Sequence, residues 1–134
     1  MTSEEIRMPG WPAPRGFVYG RVCRGRALHL AGLIGSDDRG AVVPGGLVPQ
    51  FGRALDNVIS VVRAAGGAPE DVASMTIYVT DIAAYRAAVK ALGAEWRARL
   101  GKHFVATALV AVSGLVDHGA EVEIQATAYL AGEP

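Results

Sequence analysis

The segment Ala120 to Leu130 constrains the fold more than any other part of the chain. Val122, Ile124, Ala126, Ala128 and Leu130 fall on one face of an extended strand, and Glu121, Glu123, Gln125, Thr127 and Tyr129 fall on the other. One face belongs in a core. Two segments elsewhere have helical spacing. Phe51, Leu55, Val58 and Val62 recur at intervals of four, three and four before Gly66-Gly67, and Tyr85, Val89, Leu92, Trp96 and Leu100 follow a spacing of three or four until Gly101. Thr80 or Asp81 is placed to cap the second helix. Two helices cover one face of a sheet. The opposite face, expected to carry Ala31, Leu33, Leu109 and Tyr129 beside the acids, then suits an interface between copies of the chain with a polar pocket in it.

Four further segments complete the sheet. Phe17 to Cys23 and Ala27 to Ile34 read as strands, and Arg24-Gly25-Arg26 is short enough to join them as a hairpin. Met75, Ile77 and Val79 alternate with Ser74, Thr76 and Tyr78, and Ala106 to Val112 forms the fourth strand. The expected order is β-β-α-β-α-β-β, an α+β arrangement of one sheet with two helices on one face. A crossover helix would make strands two and three parallel if they are neighbours. Strands four and five are expected to pair, which would put Glu123 beside Thr107.

With 134 residues the chain fits one domain spanning 1–134, and Met1 to Arg15, carrying Pro9, Gly10, Pro12 and Pro14, is an extended lead-in with no signal-peptide core. No apolar run reaches the roughly 20 residues that cross a bilayer, so a soluble cytoplasmic protein without a membrane partner is expected. Lys plus Arg and Asp plus Glu number 13 each. That balance gives nucleic-acid binding no electrostatic support. Cys23 is the one cysteine, which excludes an internal disulfide and a multi-Cys zinc site. It reads as a small buried apolar residue. His29, His103 and His118 have no metal-binding spacing, so neither metal nor cofactor is expected. Charged residues make up 19% against 51% hydrophobic, leaving little polar surface for so small a body. Another copy of the chain is expected to cover part of the apolar remainder.

Four local patterns carry a resemblance. They are Leu30-Ala31-Gly32-Leu33-Ile34; Ala54-Leu55-Asp56-Asn57-Val58 with Ala64-Ala65-Gly66; Val72 to Asp81; and Gly119 to Ala126. Together they resemble the reactive intermediate deaminase family, also called RidA or YjgF-like, over nearly the whole chain from Pro14. The resemblance implies a homotrimer of a chorismate-mutase-like fold. It also implies clefts between subunits that bind small carboxylates, and hydrolysis of enamines or imines to keto acids and ammonia.

The family holds its substrate carboxylate with an arginine in a Pro-Ala-Arg-Ser/Thr segment. Here the matching position is Thr107, with Val105 at the proline, and an asparagine often found on the second helix is Val89. Glu123 matches the family's glutamate near the ligand, Gly32 the residue whose backbone lines the cleft, and Phe17 a position usually held by tyrosine, with Tyr19 two residues on. Glu123 is therefore the expected proton carrier and Gln125 a residue to orient it. A carboxyl group there could activate water and protonate an amine. Phe17, Tyr19, Gly32, Thr107 and Gln125 are the expected binding residues, with His103 the candidate replacement for the arginine. The leading function is a diverged deaminase-like hydrolase acting on a small imine, enamine or related metabolite. The alternative is a small-molecule-binding trimer without catalysis.

Overall fold

The computed structural model describes residues 3–132. The ends of the expected 1–134 domain, Met1, Thr2, Glu133 and Pro134, lie outside the described residues. Two short strands, β1 (Ser3–Glu5) and β2 (Arg21–Cys23), are followed by β3 (Arg26–His29), β4 (Leu33–Ile34) and helix α1 (Leu47–Ala64). A 3-10 turn at Pro69–Asp71 leads into β5 (Val72–Val79), helices α2 (Ile82–Ala87) and α3 (Val89–Leu100), and strands β6 (Ala106–Ala111) and β7 (Val122–Leu130).

The main sheet runs β3-β7-β5-β6, with β4 continuing along the β3 edge of β7. β7 is antiparallel to β3, β4 and β5, whereas β5 and β6 are parallel. Its alternation is the one expected: Val122, Ile124, Ala126, Ala128 and Leu130 are buried. Against them packs α1, whose Leu55, Val58 and Val62 are fully buried together with Ala54. Each such aliphatic side chain contributes about 1.5 to 3 kcal/mol by leaving water. α3 adds Leu92, Trp96 and Leu100 to the same core. Arg99 ties the two helices together by donating to Asp56 on α1 at 2.7 Å and to Glu95 one turn back. The hydrogen bond it donates to Asp56 is the main reason its guanidinium pKa is raised.

Several expected details are corrected. β2 does not form a hairpin with β3; it pairs antiparallel with β1 in a separate two-stranded ribbon, so part of the lead-in is a strand. Gly25, at φ 115°, turns the chain between them, and the bonding edge of β3 is taken by β7. β7 also lies between the β3–β4 edge and β5, so strands on either side of α1 point the same way without being neighbours. β6 pairs with β5 and not with β7. Along the β3–β4 edge the register changes from His29 opposite Thr127 to Leu33 opposite Ile124. That one-residue slip moves Leu33 to the core side, because strand side chains alternate. Leu109, opposite Ile77, lies on the core side as well. The second helix is broken at Ala88, and of the two candidate caps Asp81 is used, accepting from the Ala84 amide at 3.0 Å.

β4 and α1 approach closely at Gly35. A Cβ there would lie 2.6 Å from Gln50 Cα, and α1 backbone cannot rotate aside as a side chain can. Gly35→Ala is expected to lower stability by about 1 to 3 kcal/mol. Gly114→Ala, with nothing within 4 Å of the added carbon, should change it by under about 0.5 kcal/mol. Urea midpoints of the two variants check this; equal midpoints would contradict the close approach.

Candidate functional site

Paired residues share a face of a sheet, so the register defines the face that no helix of the chain covers. It carries Glu123 opposite Tyr78, Gln125 opposite Thr76, Thr127 opposite Ser74 and His29, and Tyr129 opposite Ala27. Beside them on β6 are Ala106, Ala108 and Val110. The face is polar along its middle and apolar at this edge.

Phe17 and Tyr19 stand at that edge. Val18 bridges to Ala106 in parallel fashion and is buried, and Phe17 and Tyr19 flank it on the opposite side of the segment. Their rings meet edge to face at 5.4 Å. Tyr19 also contacts Trp11 at 5.1 Å, and its hydroxyl donates to the Pro12 carbonyl at 2.7 Å. That hydroxyl is committed to the lead-in. With Ser74, Thr76, Gln125 and Thr127 the two rings line an open cleft of about 640 Å³.

Glu123 lies further along the same face. A Cβ on Gly32 would come within 2.5 Å of Glu123 Oε2 and 2.9 Å of its Cδ, so the carboxyl group rests on the Gly32 backbone. Any side chain at 32 would displace it. The structure therefore brings together Glu123 and Gly32, the catalytic and the backbone candidates. Gln125 is its neighbour two residues along, exposed on the same side.

Thr107 is elsewhere. It pairs with Met75, whose side chain is in the core, while Glu123 pairs with Tyr78 on the other side. Their side chains take opposite faces of the sheet and they are not neighbours, contrary to the expected β6–β7 pairing. The Thr107 hydroxyl donates to the Val105 carbonyl at 2.9 Å. His103 is also fixed: its Nε2 bonds to the Val72 carbonyl at 2.8 Å, and its own carbonyl accepts from Trp96 Nε1 at 3.1 Å. A carbonyl only accepts, so Nε2 carries the proton in that bond. Cys23 is partly buried, and desolvation pushes its thiol pKa up despite Arg21 nearby. A protonated thiol is a poor nucleophile.

Sequence reasoning overlooked two groups. Gln50 is buried at 3% exposure; its amide donates to the Gly119 carbonyl at 3.0 Å and accepts from the Glu121 amide at 2.8 Å. It thereby holds the loop before β7 against the first turn of α1. Glu121 Oε2 lies 3.5 Å from the same amide nitrogen, drawn toward that helix end and away from the sheet face. The second group is Arg15 and Arg97, which line a hollow on the helix side. A signal existed for Arg97: its helical neighbours four residues away are Gly93 and Gly101, whereas Arg99 has Glu95. Among the described residues no three His, Cys, Asp or Glu side chains are grouped to hold a metal ion, and no helix is long and apolar enough to cross a membrane.

A mixed sheet with helices on one face and a glycine-seated carboxylate on the other defines a small α+β protein with one face left bare. The comparisons identify it. The family described as Endoribonuclease L-PSP matches residues 12–130, and the chain belongs to it. No curated protein matches. Among solved structures, the Rid family protein YyfB from Yersinia pestis, itself described as of unknown function, is 30% identical with a TM-score of 0.87, over 97% of this chain and 100% of that one. The YjgF gene product of E. coli is 28% identical, TM-score 0.67, covering 94% and 98% of the two chains. RidA from a Psychrobacter species is 26% identical, TM-score 0.68, covering 95% and 99%. The RidA-like resemblance and its fold are thus established. Family membership supports a small-molecule-binding or deaminase-like role.

Replacing Gln50 by Leu keeps the bulk but leaves the Gly119 carbonyl and Glu121 amide without this partner. We expect a loss of about 1 to 3 kcal/mol. Chemical denaturation checks it, and an unchanged midpoint would show that water satisfies both groups.

Proposed function

We propose that the protein is a cytoplasmic homotrimer acting as a deaminase-like hydrolase on a small imine, enamine or related metabolite, in clefts between subunits. The observation that carries this reading is the Glu123 carboxyl group seated on Gly32, on the face no helix covers, with no side-chain hydrogen bond or ion pair of its own among the described residues. A second copy is needed for a closed site. Glu123 and Thr107 lie on opposite faces of one sheet, so a pocket that uses both takes one from each of two subunits. Phe17, Tyr19 and Gln125 line the bare face that such a partner would close.

In the proposed reaction water adds to the imine carbon as Glu123 accepts its proton. The carboxyl group returns that proton to the nitrogen to give a carbinolamine, then takes the proton of the new hydroxyl and passes it to the same nitrogen, so that the C–N bond breaks, ammonia leaves and the carbonyl forms. Gly32 contributes its backbone, Gln125 orients the carboxyl group, and Phe17 and Tyr19 supply apolar walls. His103 is not needed as an anchor in this scheme, its ring being bound to Val72. The binding-protein alternative draws on one observation: Thr107, at the position of the family's arginine, spends its hydroxyl on the Val105 carbonyl.

Three measurements test the reading. Light scattering after size exclusion at micromolar concentration is expected to give a trimer, and a stable monomer would remove the shared site. Keto-acid release from a serine or threonine dehydratase should be accelerated weakly or not at all, since a threonine cannot clamp a carboxylate bidentately. Acceleration equal to that of an arginine-bearing relative would place an anchor elsewhere. On a substrate that is turned over, Glu123→Gln should lower turnover by about a hundredfold to ten-thousandfold with the oligomer intact. Glu121→Gln, at the α1 end, should do little; equal activity of Glu123→Gln and the parent would favour the binding protein.

A further inference from the structure

One row of the bare face crosses the sheet at Glu123. The register sets Ile34 of β4, Glu123 of β7, Tyr78 of β5 and Val110 of β6 side by side. Directly opposed residues on neighbouring strands have Cβ atoms about 4.5 to 5.5 Å apart, close enough for their side chains to share a ligand. From β7 outward the row therefore presents a carboxylate, an aromatic ring and an aliphatic side chain over roughly 10 Å, two strand spacings. Val110 is 42% exposed, a large apolar group left open at the β6 edge. The next row, Gln125, Thr76 and Ala108, is uncharged.

The Glu123 carboxylate has no countercharge in this setting. The ladders bring no lysine or arginine to its face beside it: the base they do bring, His29, stands opposite Thr127, four residues from Glu123 and about 13 Å away along β7. Arg15 and Arg97 line the hollow on the helix side instead. Among the described residues the arginine ion pairs use Glu5, Asp38, Asp56 and Glu95, and Glu123 takes part in none. A fixed, uncompensated carboxylate attracts a cation, and a cation that also lies over a tyrosine ring gains from the negative face of its π-system. An anion meets the opposite field.

We propose that this row selects an imine that carries no carboxylate: the protonated aldimine of a primary amine, its nitrogen at Glu123 and its apolar tail lying across Tyr78 toward Val110. The span fits a chain of about six carbon atoms or a phenylalkyl group. The inference deepens the function proposed above by naming the substrate class, and rests on that reading for turnover; recognition of the cation does not depend on it. In the hydrolysis one water is consumed and no electron is transferred. The C=N bond becomes C=O, and protonated aldimine plus water gives aldehyde plus ammonium. The proton that makes the imine a cation leaves with the nitrogen.

Calorimetric titration of the full chain with 2-phenylethylammonium, the neutral 2-phenylethanol and the anionic 3-phenylpropanoate tests the charge preference. The cation is expected to bind at least about tenfold more tightly than either other probe, the size of one charge-assisted hydrogen bond. Glu123→Gln should cost the cation about tenfold and leave the alcohol unchanged. Tyr78→Leu should cost it about two- to fivefold through the lost ring. Thermal midpoints confirm that both variants fold. In turnover, the aldimine formed in situ by oxidation of 2-phenylethylamine should be hydrolysed at least about tenfold faster than the imino acid formed likewise from phenylalanine, which differs by its carboxylate alone. Equal affinity for cation and acid, unaltered cation binding in Glu123→Gln, or no binding at millimolar probe would overturn the proposal. That last result includes a row covered by a second copy. Glu123-dependent turnover of the imino acid as fast as of the aldimine would overturn this inference while leaving the hydrolase intact; Glu123-dependent binding of the cation with no turnover of any imine would do the reverse.

Discussion

β7 bonds to β3 and β4 along one edge and to β5 along the other, so its backbone is satisfied on both sides for nearly its whole length. A strand held this way cannot slip without breaking both ladders, and a one-residue slip would send Val122, Ile124 and Ala126 to the bare face. The apolar stripe of α1 has a fixed surface to pack on, and Gln50 locks the entry of β7 to the first turn of that helix. Because Glu123 is part of this strand, its position is set by the core. The carboxyl group owes its place to Ile124 behind it as much as to Gly32 beneath it.

The same pleat separates the chain's chemistry into two compartments. Glu123, Gln125 and the Phe17–Tyr19 edge belong to the bare face, whereas Thr107 is turned to the side where Arg15, Arg97 and Trp96 enclose a hollow. Phe17 and Thr107 border both cavities, so the β6 edge is the thin wall between them.

Much of the fold was legible in the sequence because single elements announce themselves by periodicity. The stripes of α1 and β7 and the alternation of β5 are local patterns and were recovered. Pairing is not local. Three residues such as Arg21–Cys23 suit β1 as well as β3, and nothing in Arg24-Gly25-Arg26 says that β7 has already filled the better edge. Leu33 and Leu109 were placed on the wrong face by continuing an alternation or pairing that the structure interrupts. The first is undone by the slip after His29, the second by the parallel ladder with β5. Of the candidate site, the resemblance singled out Glu123 and Gly32, which the structure brings into contact. His103 was legible as a residue but not as one with its ring bonded to Val72, since that contact spans 31 positions.

Charge placement is where this chain departs most from what its resemblance implies. An arginine at 107 would stand on β6 at the wall between the compartments, within reach of either. Threonine there keeps the strand and fills its own hydrogen bond, which makes the wall neutral. Arg15 in the lead-in and Arg97 on α3 instead line the helix-side hollow, while Glu123 stays on the bare face. Strand pairing, by fixing which face each residue takes, thus decides on which side of the β6 wall each charge stands.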